Sequence, residues 1–210
     1  MLVAPLVDQA LEKNADLQAG VDLLWQHPQV LAELRELFEE LRRGIEHIHL
    51  PLDDRIEVPL RVHARYTRLE ILAAFGDGNE ARIAPWQTGV RWLPTAKADV
   101  FAFTLDKTDG KFSPTTRYRD YALSRELIHW ESQSVTRSDS PTGLRYQRHA
   151  SEGTDVMLFA RLRQSDRAFW FLGPAEYVRH VGERPMAVTW RLRYALPGDL
   201  FAEFAAVAGA

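Results

Sequence analysis

The chain has 210 residues, a formal net charge of −3 and no cysteine. This length suits one domain, or one domain with a smaller attached piece, and a content of 46% hydrophobic residues is enough to build a core. The absence of cysteine excludes disulfides, thiolate zinc sites and a cysteine nucleophile. The small negative charge means that a nucleic-acid partner has to be argued from local clusters of basic residues.

The first residues, MLVAPLVDQALEKNADL, carry acidic side chains and lack the basic segment of a signal peptide. No apolar run approaches the ~20 residues that are needed to span a bilayer. We therefore expect a cytoplasmic protein with no membrane partner.

The first third of the chain has a helical pattern. Apolar residues fall three and four apart from Pro28 to Ile48, which predicts one amphipathic helix with charged residues on its opposite side. A shorter helix is expected to end near His27. Further along, Thr67-Arg-Leu-Glu70 is a capping-box pattern before an apolar run, and Gly76 and Gly78 are expected to end that third helix.

From about residue 85 onward, short segments rich in strand-forming residues replace the helical pattern. These segments are 90–92, 100–105, 156–160, 168–172, 176–178 and 186–192. The sequence thus predicts an α+β fold, with N-terminal helices over 1–78 and a compact, mostly antiparallel β-sheet or small barrel over 79–210. Residues 199–208 are expected to form a closing helix. Residues 121–130 are expected to hold at most one or two helical turns, with Ser124 as N-cap.

Motifs for several common chemistries are missing. The chain has no Gly-x-Ser-x-Gly elbow, no P-loop and no dinucleotide-binding glycine pattern. His47 and His49 are close together, but no carboxylate cluster accompanies them, so we predict no metal and no other cofactor. An enzyme acting on nucleic acid would rest on His129 with Ser132 and Asp120; a packed, hydrogen-bonded core histidine is the favoured interpretation of His129.

The segment 111–149 combines basic and aromatic residues. It holds seven basic and four acidic side chains, a local excess of three positive charges in a chain whose total is negative. Arginine forks bind phosphate, and aromatic faces stack on bases. The alternative, given equal weight, is that the aromatic residues are core residues and that the arginines pair with nearby acids.

A series of short blocks stands in an order that resembles one domain family. The blocks are Pro59-Leu-Arg-Val-His-Ala-Arg-Tyr-Thr-Arg68, Ile71-Leu-Ala-Ala-Phe-Gly76, Ser113-Pro-Thr-Thr116, Asp120-Tyr-Ala122, His129-Trp130, Ser140-Pro-Thr-Gly143, Phe171-Leu-Gly173 and Arg184-Pro-Met186. They resemble the domain of unknown function 3427, which follows the motor of many bacterial superfamily II DNA helicases. The resemblance covers roughly residues 30 to 197.

This resemblance implies a setting rather than an activity. Some of those helicases also carry a nuclease domain, and the family context is DNA restriction, repair or phage defence. The helicase motor motifs are missing here, so no helicase activity is expected from this chain. By fold-level analogy, the β-rich part would be a PUA-like barrel of the kind that reads flipped or modified bases.

We therefore predict a non-catalytic DNA-binding accessory module of a helicase, restriction or phage-defence system, possessing no enzymatic activity of its own. The alternative is a structural or protein-interaction module that docks on a helicase or nuclease partner through the helix over 28–48. The candidate DNA-binding residues are Thr115, Thr116, Arg117, Tyr118, Arg119, Tyr121, His129, Trp130, Ser132, Gln133, Thr142, Arg145 and Tyr146.

Overall fold

A computed structural model describes residues 17–43, 47–53, 57–77, 86, 88–106 and 120–208. These ranges contain five helices and ten strands, which confirms the predicted α+β class. In chain order they are α1 (Leu17–Trp25), α2 (Pro28–Arg43), β1 (Leu50–Pro51), β2 (Arg61–Val62), β3 (Arg65–Thr67), α3 (Arg68–Ala74), β4 (Val90–Leu93), β5 (Ala98–Thr104), β6 (Tyr121–Ala122), β7 (Leu127–Glu131), α4 (Pro141–Glu152), β8 (Asp155–Arg161), β9 (Ala168–Val181), β10 (Ala187–Leu192) and α5 (Gly198–Ala208).

The chain divides into two compact units. Residues 1–48 and 66–86 form the first unit, and residues 49–65 and 87–210 form the second. Helices α1, α2 and α3 belong to the first unit; the main sheet, α4 and α5 belong to the second. The predicted domain boundary after residue 78 lies outside the described residues and stays a prediction.

The helices of the first unit begin where the sequence signals place them. Pro28 occupies the first position of α2, where its missing N–H costs no hydrogen bond. At the start of α3, the Thr67 hydroxyl accepts a hydrogen bond from the Glu70 N–H at 3.3 Å, and the Glu70 carboxylate accepts one from the Thr67 N–H at 2.7 Å. Gly76, with φ of +65°, follows the last turn of α3. The predicted capping box is therefore confirmed, while Gly78 lies outside the described residues.

The second unit is built on an open mixed sheet. Its strands run in the order β4-β5-β8-β9-β10-β7-β6, and β5 with β8 is the parallel pair among otherwise antiparallel neighbours. The sheet ends at the short strands β4 and β6, which do not pair with each other. Closure into a barrel would require these two edges to meet in register. The mostly antiparallel sheet is thus confirmed, and the barrel alternative, including a PUA-like barrel, is wrong.

Strand β9 is longer than the sequence pattern suggested. Gly173-Pro174 has the composition of a turn, but the structure has one continuous strand of 14 residues from Ala168 to Val181. Gly173 has φ of +89°, and a Cβ there would lie 3.0 Å from the ring of Tyr194. The glycine therefore marks an irregularity inside a strand rather than a turn between two strands.

The block Ser140-Pro-Thr-Gly143 starts a helix that the sequence analysis missed. Ser140 is the N-cap of α4: its hydroxyl accepts from the Gly143 N–H at 3.1 Å and donates to the Arg137 carbonyl at 2.6 Å. Pro141 takes the first helical position. A Cβ on Gly143 would lie 2.0 Å from that same carbonyl oxygen, so only glycine fits.

The segment 121–130 also differs from expectation. In place of helical turns, β6 and β7 form a hairpin in which Tyr121 pairs with His129. The Ser124 hydroxyl accepts hydrogen bonds from the N–H groups of Glu126 and Leu127, so it caps the hairpin turn rather than a helix. Local side-chain bonds of serine serve turns and helix starts equally well, which is why the pattern was ambiguous.

The core of the second unit lies between the sheet and helices α4 and α5. Phe101 packs against Trp130 at 4.5 Å and against Trp190 at 5.5 Å between ring centroids. Tyr146 of α4 and Phe204 of α5 belong to the same buried cluster. Edge-to-face packing of large rings adds to the stabilisation that burial of their apolar surface provides.

The start of α4 can be tested by two single substitutions. Ser140→Ala should lower the free energy of unfolding by about 1 kcal/mol through loss of the cap. Gly143→Ala should lower it further, because its Cβ would overlap a backbone oxygen that cannot move away easily. Gly198→Ala is the matched control, since a Cβ there meets nothing within 4 Å. Chemical denaturation of the three variants measures the effect, and a Gly143→Ala protein as stable as the wild type would contradict this account.

Candidate nucleic-acid interface

One row of side chains crosses four neighbouring strands on the face of the sheet opposite the core. The strand registers pair Tyr121 with His129, His129 with Thr189, and Thr189 with Arg179. Directly opposed residues have Cβ atoms roughly 4.5 to 5.5 Å apart, so neighbours in this row are in contact range. We call Tyr121, His129, Thr189 and Arg179 the polar row.

A bulge in β9 places Arg179 in the polar row. Trp190 pairs with Tyr177 while Thr189 pairs with Arg179, so Val178 is an extra residue between them. Without this bulge, Arg179 would share the core-facing side with Tyr177, because residues two apart in a strand point the same way. With it, Tyr177 and His180 lie on one side, where their Oη and Nδ1 atoms are 2.6 Å apart, and Arg179 points to the other.

The aromatic end of the polar row is a stacked pair. The rings of Tyr121 and His129 are 4.6 Å apart between centroids and 28° from parallel. Both side chains are half-buried. Burial lowers the pKa of His129, and the carboxylates of Glu131 and Asp120 oppose this only in part. The imidazole is therefore neutral at pH 7, and its pair with Glu131, at 4.0 Å, is not an ionic bond at that pH.

The basic end of the polar row is exposed. Arg179 is exposed, and it takes part in none of the ion pairs between described residues. Arg191 lies in the next row of the same face, opposite Glu176. With Glu131 on this face as well, two arginines (Arg179, Arg191) and two glutamates (Glu131, Glu176) lie in and beside the polar row, so this part of the face is polar rather than strongly basic.

Five of the thirteen predicted DNA-binding residues lie outside the described residues. They are Thr115, Thr116, Arg117, Tyr118 and Arg119, and their predicted roles stay predictions. They immediately precede Asp120, whose carboxylate accepts a hydrogen bond from the Glu131 N–H at 2.9 Å and so ties the start of β6 to β7. Asp120 therefore lies beside Tyr121, at the aromatic end of the polar row.

Two predicted stacking residues are in the core instead. Trp130 and Tyr146 expose only 4% and 2% of their surface and pack around Phe101. Trp130 alternates with His129 along β7, so one residue must face the core when the other faces outward. The ring faces of Trp130 and Tyr146 are therefore not accessible to a base in this structure, which agrees with the core alternative.

Arg145, predicted to bind phosphate, has its fork occupied. Its Nε and Nη2 atoms donate to the two carboxylate oxygens of Asp99 at 2.6 and 2.8 Å, and its guanidinium lies 4.3 Å from the ring centre of Trp92. Asp99 is fully buried; burial raises the pKa of its carboxyl, and the bond to Arg145 opposes that rise. Bidentate geometry of this kind satisfies a buried carboxylate and leaves little of the guanidinium for an external anion.

The three remaining candidate residues, Ser132, Gln133 and Thr142, do not belong to the polar row. Ser132 is fully buried, and its hydroxyl accepts from the Met186 N–H at 2.9 Å and donates to the Gln133 carbonyl at 3.2 Å. That use of its hydroxyl does not fit a nucleophile served by His129. Gln133 and Thr142 are half-buried, in the loop after β7 and in the first turn of α4.

The structure thus brings together Tyr121 and His129 from the predicted set and adds two residues that the sequence analysis missed. Thr189 and Arg179 do not belong to any of the sequence motifs described above. The alternation of Val188, Thr189 and Trp190 could have placed Thr189 on the outer face. No sequence signal marked the bulge that places Arg179 there.

Among the described residues, no cluster of three or more histidine and carboxylate side chains is arranged to hold a metal ion. Nor does any described helix combine the length and apolar character that crossing a membrane requires.

One protein-family model matches the chain. The family model described as "Domain of unknown function (DUF3427)" matches residues 60–204, which include the whole open sheet and the polar row. The chain belongs to this family. No curated protein matches the chain.

The pair of Arg145 with Asp99 allows a stability prediction. Arg145→Ala leaves a buried carboxylate without its partner and should lower the free energy of unfolding by about 3 kcal/mol. The double variant Asp99→Leu with Arg145→Met removes both charges and should be much less destabilised. Urea denaturation at pH 7 distinguishes the two. An Arg145→Ala protein of wild-type stability that has lost affinity for DNA would instead support the phosphate-binding role.

Protonation of His149 should make the stability of the folded chain depend on pH. The Nε2 atom of this buried histidine accepts a hydrogen bond from the Tyr177 N–H at 3.1 Å, so it must be unprotonated in the folded state. Burial lowers the pKa of His149 in the folded chain. As pH falls below about 6.5, the unfolded chain takes up the proton first, so stability should decline from pH 7 to pH 5.

His149→Gln should be less stable at pH 7 but should show a shallower decline toward pH 5, because one proton-linked group has been removed. The matched control is His27→Gln, at an exposed position. Thermal unfolding followed by circular dichroism at several pH values measures both slopes. Parallel slopes for His149→Gln and the wild type would rule out this origin of the pH dependence.

Proposed function

We propose that this chain is a non-catalytic DNA-binding accessory module that acts in the cytoplasm beside a helicase, in a restriction or phage-defence system. The observation that carries the proposal is the polar row, in which a stacked aromatic pair and an exposed arginine, without an ion pair to any described residue, stand on one face of a sheet. Family membership supports the setting, because the resemblance to this family implies a helicase neighbour. We propose no chemical step for the chain, because the Ser132 hydroxyl is hydrogen-bonded to the backbone and His129 is stacked on Tyr121.

Each member of the polar row has a separate proposed role. The Tyr121–His129 stack offers a flat aromatic surface for an unpaired or extruded base, an interaction that tolerates any base sequence. Arg179 would bind a backbone phosphate through its exposed guanidinium. Thr189 is buried between them and would set their spacing rather than touch DNA. A sheet face of this kind suits a single strand or a flipped nucleotide better than the major groove of a duplex.

The predicted residues 115–119 are part of the same proposal. Arg117 and Arg119 would add the positive charge that the described part of the face lacks, because they precede β6 by only a few residues. Recognition of a modified base would then depend on how that base stacks on the Tyr121 ring and on which side chains border the ring.

Two substitutions test the polar row. Arg179→Ala should weaken binding of labelled single-stranded DNA and reduce the slope of log affinity against log salt by about one, as expected for one lost phosphate contact. Tyr121→Ala should cost about 1 to 3 kcal/mol of binding free energy with little change in that slope. Fluorescence anisotropy at several salt concentrations measures both effects.

The matched control is Arg167→Ala, at an exposed position in the loop between β8 and β9. It should leave both affinity and slope unchanged. Duplexes carrying a mismatch or a modified base, compared with a plain duplex, test whether an extruded base is preferred. Binding that is absent, or equal in wild type and Arg179→Ala, would refute the polar row as the DNA surface.

A second candidate function is a protein-interaction module that docks on a helicase or nuclease partner. The observation that favours it is the exposure of apolar side chains along α2, including Val30, Leu37 and Phe38. Helix-in-groove docking uses such a stripe as its anchor.

A further inference from the structure

Helix α2 carries an apolar stripe that is largely exposed. Val30, Leu37 and Phe38 expose 43%, 51% and 42% of their surface, and Leu31 and Leu34 are only half-buried. Residues three, four and seven apart lie on one side of a helix, so these five form a continuous stripe along α2. Single exposed apolar residues are ordinary, but a continuous stripe is typical of a surface that binds another protein.

Two pairs of charged residues border this stripe. With about 100° between successive residues, Glu33 and Glu40 lie about 100° to one side of Leu34, and Arg35 and Arg42 lie about 100° to the other side. The two members of each pair are one heptad apart, so each pair runs along its edge of the stripe for two turns. One edge is therefore acidic and the other is basic.

We propose that α2 pairs in parallel with the α2 helix of a second copy of this chain. A two-fold axis parallel to the helices brings the acidic edge of each copy against the basic edge of the other, on both sides of the shared stripe. A two-fold axis perpendicular to the helices would bring acidic against acidic and basic against basic. Charge complementarity therefore favours a second copy of this chain as the partner of α2, and it favours the parallel over the antiparallel arrangement of the two helices.

Glu40, on the acidic edge, already has an ion-pair partner within its own helix. Glu40 forms an ion pair with Arg43 at 2.8 Å on the exposed side of the helix, with about three quarters of each side chain in solvent. Exposed pairs of this kind contribute little, so Glu40 can exchange Arg43 for Arg42 of a second copy at small cost. Glu33 and Arg35 stand two turns earlier and give the same complementarity.

The expected dimer is weak. Helix α2 has 16 residues and is therefore about 24 Å long. Such a contact buries less than the roughly 1,600 Å² of a standard interface, so we expect a Kd on the order of tens of micromolar. The dimer does not rest on DNA binding, and Arg179→Ala should leave it intact.

Sedimentation velocity of the whole chain tests the pairing first. The average mass should rise from 24.0 kDa toward twice that value as concentration increases. Leu37→Glu places a charge in the stripe and should weaken association at least tenfold. Ala32→Glu is the matched control, because Ala32 is exposed on the opposite side of α2 and should leave association unchanged. A wild-type chain that stays monomeric up to about 500 µM overturns the proposal and leaves the stripe to a different partner.

Charge reversal tests complementarity. Glu33→Arg with Glu40→Arg makes both edges basic, and Arg35→Glu with Arg42→Glu makes both edges acidic. Each double variant alone should associate more weakly than the wild type, and an equimolar mixture of the two should recover association. Variants that associate as strongly as the wild type would show that these edges do not meet.

Direction is tested by a single introduced thiol, since the chain has no cysteine. Val30→Cys lies in the stripe, so a parallel pair brings the two thiols together and oxidation should link them. An antiparallel pair would place them about 16 Å or more apart, judged from a rise of 1.5 Å per residue, and no link would form. Ala32→Cys, on the opposite side, should stay unlinked under the same conditions. A dimer in which Val30→Cys does not link contradicts the parallel arrangement.

Discussion

The second unit depends on hydrogen bonding along both edges of β9. The first half of this strand pairs with β8, as far as Pro174, and the second half pairs with β10. Where β8 ends, His149 from α4 takes over and accepts the hydrogen bond of the Tyr177 N–H. One strand therefore joins the half of the sheet that contains the parallel pair to the half that contains the β6–β7 hairpin. An unpaired N–H at that junction would be costly in a buried setting, so α4 contributes to the hydrogen bonding of the sheet there.

The same strand determines what each face of the sheet can do. Before Val178, alternate residues place Tyr177 toward α4; after it, Arg179 points outward, because the bulge inserts one extra residue. The core side is thereby filled with aromatic rings, and the outer side receives a cation next to Thr189 and His129. Packing and candidate function are consequently linked: the residues that close the core also fix the positions of those that face outward. A binding face built on paired strands is more rigid than one built on loops, which suits a surface that holds a base and a phosphate at a set spacing.

Much of the fold could be predicted from local signals. The capping box of Thr67 and Glu70, the proline at the start of α2 and the strand-rich segments all lie where the sequence indicated, because each depends on neighbours a few residues away. Helix α4 was not predicted, although Ser140, Pro141 and Gly143 are ordinary signals for the start of a helix. Gly173 was misread because a glycine with positive φ is as compatible with a strand irregularity as with a turn. The burial of Trp130 and Tyr146 could not be predicted for a related reason: a segment rich in arginine and aromatic residues has the same composition whether the rings face solvent or the core.

The sequence by itself determined the α+β class, the helices α2 and α3, the strand-rich segments after residue 85 and the family to which the chain belongs. It also determined the acidic and basic edges of α2, because helical spacing alone fixes which residues share a side. The tertiary structure decided which aromatic residues are buried, that Arg145 is held by Asp99 from a distant strand, and that Arg179 joins Tyr121 and His129 in one row. Those outcomes depend on strand register and on a single bulge. Both are set by contacts between residues far apart in the chain, for which the sequence carries no local signal.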